Sequence, residues 1–467
     1  MPKLSILHVS DLHKMEGTTY ESLLQSLLTD RDSYVSAGVA SPSYIVISGD
    51  LIQGGASDEE IQNQYAEVKQ FLESLTNQFL EGDKSKVIMV PGNHDVSFPH
   101  SMRSMTKLAG DKNLEHFSLY MGGQSQIRWN WKDFSFYSIS EQNQYNNRFE
   151  LFKEFYKDFY TGIRSFPNDG DTASDFVSFS KDKVAFALFN SCCGLDHLYD
   201  TGNISPDALT ALLPRLRSSY NEGYLNIAVW HHHYYGAPRE SNYLDREVIS
   251  MLTHGYIQIG LFGHQHISQV AEMFSSDMTI KESPENQRIL LISSGTLFGG
   301  KKEIPEGYKR QYNIIQVETL NGSATIKINV REDGNRNVAS KIPYWISKGN
   351  PIETNVNLRK LDEQTQFANL LRKTRRTSDY KAGYIELIQL PHEHEMYQPL
   401  RSEFIRNIQD NRFILDNIIP ESPNDYILLM TCAIEEDDSE AKERLKNDKS
   451  LQGLLQDSIL KEFYNQL

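Results

Sequence analysis

Six short apolar runs, each five to eight residues long and each followed by glycine, proline or a polar residue, constrain this chain more than any other feature. They are KLSILHVS from Lys3, SYIVIS (43–48), KVIMV (86–90), KVAFALF (183–189), YLNIAVW (224–230) and YIQIGLF (256–262). Runs of this size and composition read as strands. Helical spacing fills the intervals: Glu21 to Leu28 lies between the first two runs, and an amphipathic stretch opening on Asp58 as N-cap lies between the second and third. Strand and helix in alternation predict an α/β layered fold.

The residues that follow the runs are unusual. Asp11 and His13 follow the first, Gly49-Asp50 the second, and Gly92-Asn93-His94-Asp95 the third. His231-His232-His233 follow the fifth, and Gly263-His264-Gln265-His266 the sixth. In layered α/β folds, side chains converge outside the carboxyl ends of strands, so five strands bring hard oxygen and borderline nitrogen donors to one edge. Carboxylate, amide and imidazole without thiolate suit divalent ions of intermediate hardness: Mn, Fe, Zn or Ni. Seven donors exceed the needs of one ion. Two ions about 3.5–4 Å apart, sharing a carboxylate, use them naturally and form a clamp for phosphoryl chemistry. The glycines at 49, 92 and 263 are expected to let the backbone turn and approach the ions.

The series D-x-H, G-D, G-N-H-D, H and G-H-x-H, in this order and each after a strand, resembles the signature of the calcineurin-like metallophosphoesterase superfamily. That superfamily includes purple acid phosphatases, cyclic-nucleotide phosphodiesterases and double-strand-break repair nucleases. The resemblance spans roughly residues 1 to 330 and does not reach the C-terminus. It implies an α/β/β/α four-layer core and two divalent cations, Mn foremost. Asp11, His13 and His266 would hold one ion, Asn93, His231 and His264 the other, with Asp50 bridging. A bridging hydroxide would attack phosphorus in line. The resemblance also implies that His94 protonates the leaving oxygen or stabilises the transition state, with Asp95 behind it as an orienting carboxylate. His232 remains an alternative to His231. The family usually has proline after this histidine motif, whereas Tyr234 and Tyr235 stand here, and either tyrosine is a candidate pocket wall.

Three further regions complete the organisation. An aromatic-rich insertion from about residue 100 to 182 is expected to hold a hairpin and a helix, and to form either a lid over the site or a surface decoration. RILLISSGTLFGG and YNIIQVETLNGSATIKINV read as antiparallel strands, the second pair joined at Asn321-Gly322. Gly, Pro and Asn punctuation between 331 and 352 marks a boundary. This gives a metallophosphoesterase domain at 1–335 and a small C-terminal α+β module at 350–467, with strands at YIELIQL (384–390) and YILLM (426–430). That module is open to three roles: covering the site, self-association or docking a protein partner.

A formal net charge of −15 disfavours polyanions as general partners, so a small or nucleotide-like phosphodiester is the expected substrate, with a DNA or RNA nuclease as the alternative. A non-catalytic scaffold is the remaining reading, and it should show broken donor positions. Three cysteines, two of them adjacent, cannot build a disulfide framework and fit a reducing, cytoplasmic setting. No basic leader precedes the first strand, and no apolar run approaches membrane-spanning length. His8 reads as a core histidine, and His392 and His394 as loop residues. Asn190 and Ser191 read as turn or supporting residues, Cys192 and Cys193 as small hydrophobes, and LLRKTRR (370–376) as a helix end carrying basic residues.

Overall fold

The computed structural model describes residues 3–14, 17–121, 126–167, 170–236, 242–244, 246–274, 288–300, 302–320, 322–335, 342–359 and 361–467. They form two compact units, residues 1–360 and 361–467.

In the first unit the predicted strands form where expected: β1 (Lys3–Val9), β2 (Tyr44–Ile47) and β3 (Val87–Met89). The insertion adds β4 (Met105–Lys107), β5 (Ile127–Asn130) and β6 (Ser135–Ile139), a separate antiparallel sheet. There follow β7 (Ser174–Phe179), β8 (Val184–Phe189), β9 (Leu225–Val229), β10 (Ile259–Phe262), β11 (Gln269–Phe274) and β12 (Arg288–Ser293). The last are β13 (Gln311–Leu320), β14 (Ser323–Asp333), β15 (Trp345–Ser347) and β16 (Ile352–Asn357).

Two large sheets result, one in the order β15-β14-β13-β1-β2-β3 with β16 also on β14, the other β11-β12-β10-β9-β8-β7. Strands β1, β2 and β3 run parallel, as do β8, β9, β10 and β12, so their carboxyl ends share a direction within each sheet. Strand β12 is thus parallel to β10 and antiparallel only to β11, a correction to the all-antiparallel reading of RILLIS. The β13–β14 hairpin forms with Leu320 opposite Ser323; Gly322 has φ +92°, while Asn321 lies outside the described residues.

Side-chain alternation explains the layering. Leu4 and Ile6 of β1 point into a core shared with Val46, Phe186, Ile227, Leu261 and Ile292, which fills the space between the sheets. Leu7 and Val9 point the other way, against α1 (Tyr20–Arg31) and α2 (Asp58–Leu80). Helices Pro206–Asn221 and Arg246–His254 cover the outer face of the second sheet through Leu212, Leu216, Ile249 and Leu252. The architecture is therefore α/β/β/α. Helix α2 is capped by Ser57, whose side chain accepts from the Glu60 amide, one residue before the predicted cap at Asp58.

The insertion divides into two parts. Its helix Glu150–Tyr160 puts Phe152, Phe155, Phe159 and Tyr160 into the outer core beside α2, where Phe155 stacks on Tyr65 at 4.9 Å. These aromatics, expected as a lid or decoration, are core.

Past the predicted boundary, β15 and β16 still pair with β14, and Trp345 buries against α1 by donating from Nε1 to Ser26 at 2.9 Å. The C-terminal unit contains only helices among its described residues, which corrects the α+β reading. YIELIQL begins inside the helix Tyr380–Leu387, capped by Asp379, and YILLM lies inside Pro423–Glu435. Ser422 and Asp425 form a capping box there and Pro423 takes the first helical position, a start signal stronger than the apolar run it precedes. Leu400 and Phe404 are buried on the expected helix, Tyr397–Asn407.

Candidate metal centre

The carboxyl ends of β1, β2, β3, β9 and β10 meet at one edge. His231 ties the sheets together there, its ring donating from Nδ1 to the Ser48 carbonyl at 2.8 Å, and within the first sheet Ser10 Oγ donates to the same carbonyl at 3.2 Å. Asp11 N donates to the Gly49 carbonyl and Leu12 N to that of Asp50. Three glycines permit the approach: Gly49 has φ +95°, and a Cβ on it would lie 2.6 Å from His231 Nδ1. A Cβ on Gly92 would lie 2.2 Å from Asp50 Oδ1, and one on Gly263 would lie 1.9 Å from Ser10 Oγ and 2.7 Å from Asp11 Oδ2.

The backbone is strained where the donors sit. Asp11, Asp50, His264 and His266 have φ of +53°, +51°, +77° and +58°. Left-handed backbone in non-glycine residues costs about 1–3 kcal/mol each and concentrates at functional sites. Backbone bonds hold several of these groups: the Asp11 amide to Gly49, the Asp11 carbonyl to Thr296 Oγ1, the Asp50 carbonyl to the Leu12 amide and the His264 amide to Asp11 Oδ2.

Donor atoms fall into three overlapping groups: Asp11, His13 and His266; His13, Asp50 and His94; and Asp50, His231 and His264. His266 Nε2 lies 3.2 Å from Asp11 Oδ1, and His231 Nε2 lies 3.2 Å from Asp50 Oδ2. Asn93 Oδ1 closes the third group, 3.0 Å from His231 Nε2 and 2.9 Å from His264 Nδ1. Separations near 3 Å match neighbouring donors around a divalent ion at bond lengths of about 2.0–2.2 Å. His231, rather than His232, faces Asp50 and Asn93. His232 turns its Nδ1 to Ser191 Oγ at 2.9 Å, and that hydroxyl also accepts from the amides of His231 and His232. Ser191 therefore braces the histidine run, whereas the Asn190 side chain bonds to turn backbone at Gly170 and Cys192.

Carbonyl partners fix which imidazole nitrogen faces the cluster, since a carbonyl only accepts. Nδ1–H of His231 is tied to Ser48 and Nδ1–H of His266 to the Glu303 carbonyl at 2.6 Å, so each ring turns Nε2 to the cluster. Both ring nitrogens of His13 and Nε2 of His264 are buried with no hydrogen-bond partner among the described residues. Buried imidazole nitrogens without partners require an explanation, and a cation beside the buried carboxylates would supply one. The donor set thus fits the divalent ions expected from the sequence.

Electrostatics agrees. Burial alone would strip the charge from His231 and His266, yet the adjacent Asp50 and Asp11 push these imidazoles up to about 9. Despite its own burial, Asp11 is held at about 2 by His266, and Asp50 lies well below the usual carboxylate value. His264, buried beside His231, falls to about 3. The two buried carboxylates favour positive charge beside them, whether on the imidazoles or on a cation.

His94 sits at the rim with its side chain 41% exposed. Its amide donates to Asp50 Oδ1 at 2.9 Å, its Nδ1 to the Gln53 carbonyl at 2.9 Å, and its Nε2 lies 3.9 Å from Asp50 Oδ2. The expected His94–Asp95 pairing does not form. Asp95 turns inward and accepts from the Gly92 amide at 2.8 Å, the Leu51 amide at 3.2 Å and the Tyr65 hydroxyl at 3.0 Å. Burial and nearby Asp50 raise its carboxyl to about 7. Asp95 shapes the turn that carries Asn93 and His94; Gln53 orients the ring.

Glu303 and Gln53 have no counterpart in the motif series. Glu303 follows a Gly-rich loop after β12 and carries no local donor pattern, so only folding brings it to the histidines. Despite half-burial, its carboxyl is held at about 2 by His13. Outside the centre, His8 is a buried histidine bonded to Ser48 Oγ at 3.0 Å. His392 and His394 stack on Tyr397 and Phe367, at 4.2 Å and 4.4 Å.

A layered α/β/β/α unit with clustered carboxylate, amide and imidazole donors at its strand ends defines a metallophosphoesterase-type fold. The family model described as calcineurin-like phosphoesterase matches residues 4–268, more than half of the chain, and the protein belongs to that family. No curated protein matches the sequence. Among solved structures, a dimetal phosphatase from Danio rerio is 11% identical, over 76% of this chain and 99% of its own, with a TM-score of 0.39. The calcineurin-like phosphoesterase YfkN from Bacillus subtilis is 10% identical, over 81% and 98%, with a TM-score of 0.28. Vps29 from Entamoeba histolytica, crystallised with Zn²⁺, is 9% identical, over 76% and 99%, with a TM-score of 0.27. Among the described residues, no helix is long and apolar enough to cross a membrane.

Proposed function

We propose that this protein hydrolyses a phosphodiester of a small or nucleotide-like substrate, with two divalent cations as cofactors. The observation that carries the reading is the convergence of Asp11, His13, Asp50, Asn93, His231, His264 and His266 in overlapping donor groups, with buried nitrogens of His13 and His264 left without hydrogen-bond partners among the described residues. Asp11, His13 and His266 would hold one ion, Asn93, His231 and His264 the other, and Asp50 would stand between them. When bound, the ions supply Lewis-acid stabilisation of phosphate oxygens and lower the pKa of water.

The chain's own residues do the rest. Ser48 and Glu303 carbonyls keep Nδ1–H of His231 and His266 outward, so neither ring has to reorient when a cation enters. Left-handed Asp11, Asp50, His264 and His266 are fixed by backbone rather than by ligand, so little reorganisation remains for the reaction. His94 donates Nδ1–H to Gln53, so Nε2, at the exposed side of the cluster, is the nitrogen through which it would serve a leaving oxygen. A small anionic substrate is favoured over a polyanion because the chain carries a net charge of −15. The three cysteines, none in a disulfide, accord with a cytoplasmic setting.

The test is to strip the full chain of metal, reload it with Mn²⁺, Ni²⁺ or Zn²⁺, and offer bis(p-nitrophenyl) phosphate, p-nitrophenyl phosphate, cyclic mononucleotides and linear DNA in parallel. Metal-dependent cleavage of diesters is expected. No turnover with any metal would remove the enzymatic reading, and cleavage of DNA alone would install the nuclease in its place.

A further inference from the structure

We propose that Glu303, which no motif marks, is the positioning residue of the Asp11–His13–His266 subsite; this rests on the function proposed above. Three of its groups act on three histidines. Its backbone carbonyl accepts from His266 Nδ1 at 2.6 Å and thereby aims Nε2 at Asp11. Its Oε2 faces His13 Nδ1 at 3.7 Å, the nearest carboxylate to a ring whose two nitrogens otherwise have no hydrogen-bond partner. Its Oε1 accepts from Gln53 Nε2 at 3.0 Å, and Gln53 is the residue whose carbonyl orients His94.

The loop that carries Glu303 is itself braced. The Gly300 amide donates to Glu303 Oε2 at 2.8 Å, and the Gly299 amide donates to Thr296 Oγ1 at 2.8 Å. Thr296 Oγ1 in turn donates to the Asp11 carbonyl at 2.9 Å. One short segment therefore reaches Asp11, His13, His266 and, through Gln53, His94. A metal-ligating histidine binds best when its second nitrogen donates to a carboxylate or carbonyl, and losing such a partner typically weakens metal binding by about 10–100-fold. Glu303 supplies a carboxylate to one histidine of the subsite and a carbonyl to the other. A shift of about 1 Å brings Oε2 into hydrogen-bond range of His13, within the hydrogen-bond limits of ordinary pairs.

The experiment compares wild type, Glu303→Ala and Glu303→Gln as full chains. Mn²⁺ affinity is measured by competition with a fluorescent chelator, thermal unfolding of the metal-free proteins by tryptophan fluorescence, and kcat and KM on bis(p-nitrophenyl) phosphate at saturating Mn²⁺. Glu303→Ala is expected to weaken one of two Mn²⁺ sites by about 10-fold or more and leave the other at its wild-type affinity. It should also lower kcat with little change in KM, and leave metal-free unfolding at the wild-type temperature. Glu303→Gln, which keeps an acceptor of the same size, should recover part of both losses; it also carries the test if the alanine variant fails to fold. Wild-type Mn²⁺ affinity in both variants overturns the role while leaving the function standing, as does a loss explained by lowered metal-free stability. A wild-type chain that takes up no Mn²⁺ overturns both.

Discussion

Gly263→Ala should damage the protein at a single point, and the size of the effect can be worked out. The new Cβ would lie 1.9 Å from Ser10 Oγ, 2.6 Å from Ser10 Cβ and 2.7 Å from Asp11 Oδ2, where real Cβ atoms keep at least 3.0 Å. Rotating the serine hydroxyl away relieves the first contact but breaks its bond to the Ser48 carbonyl, about 1 kcal/mol. The second contact remains, because Ser10 Cβ belongs to a backbone bridged to Thr296 and cannot swing aside. Overpacking of that kind costs about 1–3 kcal/mol, for a total of roughly 2–4 kcal/mol. Ser10→Gly removes both serine contacts and, by itself, costs about 1–2 kcal/mol through the lost hydrogen bond and added chain freedom. The contact with Asp11 Oδ2 remains, so the double variant should be about 1 kcal/mol worse than Ser10→Gly, with a coupling of about 1–3 kcal/mol. All four tryptophans, Trp129, Trp131, Trp230 and Trp345, lie in residues 1–360, so urea unfolding followed by tryptophan fluorescence reports the first unit alone. An unchanged midpoint in Gly263→Ala, or strict additivity in the double variant, refutes the close-approach account of this glycine.

His94→Ala should keep two bound Mn²⁺ by elemental analysis yet lose about 10²–10⁴-fold in kcat, whereas Asp50→Ala should lose metal itself. In the helical unit, burial opposes but Arg401 overcomes, holding the Asp425 carboxyl below its ordinary value; Arg401 Nη1 lies 3.1 Å from both of its oxygens. Asp425→Asn should cost roughly 3–5 kcal/mol, read as the circular-dichroism transition that tryptophan does not follow. Because the folded pKa is depressed, that advantage of wild type is complete above the unfolded value of about 3.9 and disappears as pH falls through the folded one; a constant difference down to pH 2 contradicts it. Burial pushes the Cys192 thiol far up and the Cys432 thiol to about 11, so a thiol reagent should label Cys193 alone in the native protein and all three cysteines in denaturant.

The donor residues were legible because each stands within four residues of a strand end, where local sequence governs direction. What those residues require of the backbone was not. Left-handed φ at His264 and His266 leaves no trace in composition, since histidine is no turn-former, and it is enforced by contacts such as the His264 amide on Asp11 Oδ2, 253 positions away. Glu303 was invisible for the same reason: its partner Gln53 is 250 residues distant, and the intervening chain carries no periodic signal linking them. The pairing of His94 with Asp95 failed on direction. Adjacent residues in the turn Asn93–Asp95 point apart, so the carboxylate caps the turn while the imidazole reaches a carbonyl on another loop.

The misread C-terminal strands reveal where periodicity loses its force. YILLM offers five apolar residues in a row, which suit a strand or a buried helix turn equally. The deciding residues lie upstream, where Ser422, Pro423 and Asp425 set the helix start, and downstream, where Ala433 continues the face begun by Tyr426, Leu429 and Met430. At the metal centre the situation is reversed: short runs there end in groups that no packed core would retain uncompensated. Buried carboxylates, orphaned imidazole nitrogens and left-handed backbone each carry a cost to folding. Each occurs elsewhere in the chain singly, but all three coincide at these strand ends, in Asp11, Asp50, His13, His264 and His266. A cation is the one class of ligand that answers the carboxylates and the imidazole lone pairs together, which is why the cluster reads as a binding site and not as accumulated strain.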